Sequence, residues 1–389
     1  MGKRAWLREY EKTMSKMKST NRRKKSKSLT SDRQQQSQKI GKNDMAKARQ
    51  MGVALDSKTT LFFKAVCCKC RKSVTICGQD SVRRAKRIGS KWQCQECHVA
   101  VKEHAKQAGL KRETEYRPVI MKAYGNPKVF RFNLKSLALV DAVYFLCFMR
   151  TMVEYCMDKD GLQLDAVGQS LAPTRSLGLE ILIHLHKNHL ISVHPNSPIE
   201  AFSGLQAEVL RYDKVFWFIP GYQEMGKLVE LITELESVIS SLGRTPEWCN
   251  SVQELWKKVA LAECLEYFAL YLRFYEVSFF PGEKAREIIR GLLLTHSIST
   301  VSIFIWEAVR DTAFYAKKRK DIPKDRAYGT VVSSIEYYAN KAQIQSITML
   351  PRQRDYRCPQ TAISKVLFDT TIGIGEYGFN CPLDRMQLF

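Results

Sequence analysis

Residues 67–97 read CCKCRKSVTICGQDSVRRAKRIGSKWQCQEC, and the two C-x-x-C pairs within them decide how the N-terminal third of the chain folds. Four soft thiolates at short reach suit a tetrahedral metal, and two knuckles roughly twenty residues apart supply them when a small hairpin folds back. The spacing predicts Zn2+ on Cys67, Cys70, Cys94 and Cys97. Cys68, Cys77 and His98 lie close enough in sequence to replace a ligand.

The flanking composition is strand-like, with LFFKAVCC from Leu61, SVTIC from Ser73 and KWQCQECHVAV from Lys91, punctuated by Gly78 and Gly89. On these residues the segment resembles the zinc-ribbon superfamily, which implies a metal-folded β mini-domain whose zinc is structural, with no coordination position left open for Lewis-acid chemistry. Between the knuckles a predicted loop carries Arg83, Arg84, Lys86, Arg87 and Lys91, a cluster suited to phosphate contact.

Charge is distributed as unevenly as cysteine. Residues 1–128 hold 33 Lys+Arg against 10 Asp+Glu, and residues 129–389 hold 29 against 29, so the whole net charge of +23 is N-terminal. A field that concentrated attracts a polyanion and releases its counterions, which points to nucleic acid, DNA favoured over RNA. A membrane partner is not expected: the basic segment lacks the Phe, Leu and Trp face of an interfacial helix. The apolar run Leu137–Met149 is interrupted by Asp141 and too short to cross a bilayer. No apolar stretch at the N-terminus marks a secretory signal, so the expected location is cytoplasmic, nucleoid-associated in a bacterium or nuclear in a eukaryote. Twelve cysteines do not form a disulfide framework in a chain of 389 residues; Cys147, Cys156 and Cys264 read as buried thiols, with Cys249, Cys358 and Cys381 unassigned.

The expected fold class is mainly α, with a small β zinc ribbon, a winged-helix-like module and an antiparallel helical bundle. Residues 1–58 read as a disordered basic arm, in which Arg22, Arg23, Lys24, Lys25 and Lys27 are the densest phosphate-binding candidates. Residues 59–115 form the ribbon, and a linker with Pro118, Gly125 and Pro127 follows. Within 129–220, helices are predicted at about 134–157, 162–169 and 173–187, then strands at 190–194 and 214–219. That order, with PTRSLGLEILIHLHKNHLISV at its centre, resembles a winged helix. Residues 221–345 carry helical periodicity, as in Leu261, Cys264, Leu265, Phe268 and Leu272, and form the bundle; 346–389 is irregular, with a short strand-like VLF at 366–368.

The remaining motifs are weaker. His184, His186, His189 and His194 do not share one helix face and read as ordinary helix-end and wing residues. GIGEYG at 373–378 matches a dinucleotide-binding fingerprint by letter, yet too little chain follows for the required helix, so it is a loop. No nucleophile elbow, phosphate-binding loop or zinc-protease pattern occurs, and the acidic residues of the bundle fall mainly on polar helix sides. The expectation is a nucleic-acid-binding zinc protein, with enzymatic activity disfavoured and a protein partner recruited through 129–389. The alternatives are a protein-interaction scaffold tethered to nucleic acid or the ribosome, and a nuclease whose carboxylates converge only in the fold.

Overall fold

A computed structural model describes residues 62–386, apart from 128, 130–131, 156–160, 168–169, 205, 223, 243–244, 320, 322 and 346–351. The basic arm, with Arg22, Arg23, Lys24, Lys25 and Lys27, lies outside the described residues, as does Cys156. The chain is mainly α-helical and divides at Arg112/Glu113 into two units.

In the first unit, strands β1 (Phe62–Val66) and β2 (Ser73–Cys77) pair antiparallel with Val66 opposite Ser73. Helix α1 (Gln79–Ile88) follows, and α2 (Gln95–Tyr124) begins at the second knuckle. Two expectations are corrected here. The basic segment is a helix instead of a loop: Val82 and Ala85, three apart, are both buried, and this gives its residues an inner face. KWQCQECHVAV is not a strand. From Gln95 it is helical, because the Ala, Gln, Glu and Lys that follow favour helix and no neighbouring sheet buries the alternating Val99 and Val101, which are exposed. The predicted linker is also helical through Pro118, where contacts of the second unit outweigh the missing N–H. Ile120 is fully buried, and Arg117 donates to the carbonyls of Pro195 at 2.6 Å and Ser197 at 2.9 Å.

The second unit is built around α3 (Leu139–Tyr155), whose residues Ala142–Met149 are all buried. A helix apolar on every side must sit in the interior, and its polar ends are tied down. Asp141 accepts from Asn188 at 2.9 Å and meets His184 Nε2 at 2.5 Å, while Arg150 donates to Glu236 at 2.8 Å and Thr370 at 3.0 Å. Helix α4 (Arg175–Lys187) starts at Thr174, whose hydroxyl accepts from Leu177 N, so Pro173 stands just outside it; Asn188 is the C-cap, as predicted. Strands β3 (Ser192–Val193), β4 (Phe202–Ser203), β5 (Val209–Leu210) and β6 (Trp217–Phe218) follow. The strands predicted at 190–194 and 214–219 appear as β3 and β6, which pair antiparallel with Val193 opposite Trp217; the long connection between them contains the β4–β5 pair.

Five longer helices complete the unit: α5 (Met225–Ser241), α6 (Pro246–Phe274), α7 (Glu283–Leu293), α8 (Ile298–Lys318) and α9 (Val331–Ile344). Thr245 and Ser297 cap α6 and α8 by accepting from Trp248 N and Thr300 N, each at 3.2 Å. Helix α8 packs against both α6 and α9, and Trp256 and Phe304 are fully buried.

The C-terminal segment is not irregular throughout, which corrects the sequence reading. Residues Ala362–Lys365 and the π-helix Val366–Ile372 sit against α3 and α5, with Val366, Leu367 and Phe368 fully buried, so the strand-like VLF is helical. Gly373 closes it with φ 80°, and a Cβ on Gly378 would stand 2.3 Å from Phe368 Cδ1, so GIGEYG is a packing loop.

What fastens residues 352–358 is ionic. Arg354 pairs with Glu263 of α6 at 3.0 Å inside the protein, where Ser364 also donates to Glu263 at 2.5 Å, and Asp355 N donates to the Tyr267 hydroxyl at 2.9 Å. Glu266, one turn from Glu263, has two buried carboxylate oxygens without a hydrogen-bond partner; burial, reinforced by the Glu263 charge, pushes its pKa up to about 8. Glu263 and Glu266 correct the expectation that acidic residues keep to the polar sides of the helices.

Arg354→Ala is expected to destabilise the second unit by about 3–5 kcal/mol in denaturant unfolding, because it strands a buried carboxylate. Glu266 has its pKa raised above the usual 4.5, so its contribution is complete below that pH and is lost as pH rises toward about 8. Glu266→Gln should therefore raise the melting temperature above neutral pH and flatten its decline over that window.

Candidate metal centre

The first knuckle is a tight turn between β1 and β2. Arg71 N donates to Cys67 O at 2.9 Å and Cys67 N to Lys72 O at 3.0 Å, and Arg71 adopts φ 61°, which folds the chain so that Cys67 and Cys70 share a side. Cys94 and Cys97 stand at the start of α2, three residues apart and hence on one face. Cys97 N donates to Cys94 Sγ at 3.4 Å. Cys68 N donates to Trp92 O at 2.9 Å, joining the two halves.

All four sulfurs lie within 4.8 Å of one another, with Cys70 and Cys94 at 3.8 Å, so the four predicted residues converge on a volume that can hold a metal ion. Cys68, Cys77 and His98 stand outside this group and are exposed. Crowding splits the thiol acidities. Burial opposes ionisation of Cys67, but backbone hydrogen bonds from Cys70, Cys94 and Lys69 prevail and hold it at about 6. Cys97 is pushed up to about 12 by hydrogen bonding to Cys94 and then Cys70. A metal would supply the positive field that lets all four ionise together.

The centre positions a cationic helix. With Val82 and Ala85 turned inward, helical geometry at about 100° per residue places Arg83, Arg84 and Arg87 around the opposite, outward side, and all three are exposed. Lys86 sits at the flank, its ammonium 5.7 Å from the Phe63 ring centroid, and Lys91 is exposed just beyond α1. Residues 62–112 carry 13 Lys+Arg against 3 Asp+Glu, so no acidic set nearby neutralises this face.

The histidines remain apart, each in a local role. His184 bonds Asp141, and His186 meets the Tyr212 hydroxyl at 3.0 Å with its pKa lowered by burial. Among the described residues, the cysteine quartet is the group of His, Cys, Asp or Glu side chains that converges closely enough for a metal ion. Sequence reasoning missed the Glu263–Arg354 pair and the unpartnered Glu266. The signal was present in α6, where Glu263 is spaced three and four residues from the apolar Ala260 and Tyr267. Among the described residues no helix is long and apolar enough to cross a membrane.

Comparison with protein-family models, with curated proteins and with solved structures finds no match to this chain, so the site is read from its own residues.

Replacing Cys94 and Cys97 together by Ser should abolish stoichiometric metal binding and remove hydrogen-exchange protection from residues 62–105, while the helical signal of the second unit persists. Retention of bound metal by this variant would show that other residues are the ligands.

Proposed function

We propose that this chain is a zinc-containing, non-enzymatic nucleic-acid-binding protein, with DNA preferred over RNA. The observation that carries the reading is the exposed Arg83, Arg84 and Arg87 face of α1, held beside a four-cysteine centre in a segment with few carboxylates. Zinc is the metal of choice: a tetrahedron with Zn–S of about 2.3 Å has sulfur–sulfur edges of about 3.8 Å. That edge matches the Cys70–Cys94 separation of 3.8 Å. Four thiolates leave no open position, so the ion's role is structural, as in a zinc ribbon, although here the second knuckle opens a helix.

In this reading α1 and Lys91 contact phosphates, and the arm with Arg22, Arg23, Lys24, Lys25 and Lys27 adds affinity that carries little sequence information. The α3–α4 region with the β3–β6 pair is winged-helix-like, but Arg175 at the start of α4 is engaged by carboxylates. Arg175 pairs with Asp165 at 2.7 Å and Asp213 at 2.5 Å, and Glu180 of α4 holds Lys258 at 2.5 Å. Base reading by α4 is therefore not assigned, and the second unit offers a surface for the recruitment of a protein partner.

The test is a salt titration of binding to matched DNA and RNA by protein of measured zinc content. The logarithm of affinity should fall linearly with the logarithm of salt, and Arg83→Ala/Arg84→Ala/Arg87→Ala should make the slope shallower by about 2–3. An unchanged affinity and slope in that variant would overturn the assignment of α1, and absence of binding by the zinc-loaded parent would overturn the function.

A further inference from the structure

The end of α6 and the segment bonded to it expose aromatic rings that the fold does not use. Phe274, the last residue of α6, is 44% exposed, and Tyr356 is 88% exposed. Between them lies one guanidinium: Arg357 Cζ is 5.5 Å from the Phe274 centroid and 5.7 Å from that of Tyr356. The arginine is fixed in plane by Asp355, which accepts from its Nε at 2.9 Å and its Nη2 at 2.7 Å. Asp355 is itself anchored, because its N–H donates to Tyr267 of α6 at 2.9 Å. The Tyr356 ring thus stands in water on a segment that the buried Arg354–Glu263 pair holds in place. Burial cannot explain a ring this exposed, and its position is nevertheless determined.

We propose that Phe274, Tyr356 and Arg357 form a stacking platform for the unpaired bases of a single-stranded nucleic acid. The proposal rests on the nucleic-acid reading above and adds strandedness to it. Arg357 lies over both rings and Tyr275 meets Phe274 edge-on at 4.9 Å, so the more exposed Tyr356 ring offers most of the open surface; aromatic and guanidinium planes are the surfaces on which splayed bases stack. A duplex, whose bases are already stacked, offers such a platform only its phosphates. Charge supports the same occupant. Arg273 is exposed beside Phe274 and offers a phosphate a cation at this edge, while the charges of Asp355 and Arg357 meet each other.

The experiment compares the zinc-loaded full chain with Phe274→Ala/Tyr356→Ala and with Tyr356→Trp. The probes are an oligothymidylate of about fifteen nucleotides and a duplex of the same length. The double alanine variant should lose single-strand affinity by about tenfold or more with its salt slope unchanged, while Tyr356→Trp keeps parental affinity. Its duplex affinity, which belongs to α1, should stay within about threefold of the parent. A single-strand affinity that also stays within that range would overturn the platform and leave the α1 reading intact; a protein-docking role for the rings would give this result. Equal losses on both probes would overturn stacking as the mode of contact. A parent that binds neither probe would remove both proposals together. Single-strand binding that survives the triple α1 variant but falls in the double alanine variant would keep the platform alone.

Discussion

The convergence of four sulfurs within 4.8 Å is the constraint on which the first unit depends. Residues 62–112 bury few apolar side chains; Ala65, Val82 and Ala85 are small or medium in size, and Cys67 and Cys94 belong to the cluster itself. A segment with so little interior cannot offset the entropy of ordering its chain. A metal held by the four cysteines would join the β1–β2 turn to the start of α2 and confine the intervening α1 at both ends. Repulsion among the cations of α1 opposes folding, and coordination of a metal would supply energy to overcome it.

The second unit solves the opposite problem. Its core is large, and its unusual feature is charge carried inside. Arg354 and Glu263 are both buried, and their attraction has to compensate the loss of two hydration shells. Such a pair contributes less to net stability than to the choice of one arrangement for the segment that carries it. Without it, residues 352–358 have few apolar side chains to specify where they lie.

Legibility from the sequence followed the physics of each element. The cysteine quartet was readable because metal chemistry imposes spacing directly on the chain. The helix of Ala142–Met149, the helical periodicity of Leu261–Leu272 and the strands β3 and β6 were readable because apolar patterning acts over a few residues. The start of α2 was misread because Val99 and Val101 alternate like a strand, and only the absence of a covering sheet reveals that the alternation has no partner. Arg354 was invisible for a different reason: nothing local distinguishes an arginine that will be buried, and its partner is some ninety residues away. Glu263 and Glu266 could have been found, since carboxylates on the apolar stripe of a helix require a partner or a proton.

Burial also sorts the chain's thiols into two chemical populations. Cys147, Cys264, Cys358 and Cys381 are enclosed, and burial raises the pKa of each, so thiolate is scarce where these sulfurs sit. Cys68 and Cys77 are solvent-exposed, on the hairpin that carries the first knuckle. Among the described residues, an electrophile or oxidant meeting the folded protein therefore finds exposed sulfur at Cys68 and Cys77, beside the candidate metal centre. Sulfur damage would fall first on the part of the molecule whose folding relies on sulfur.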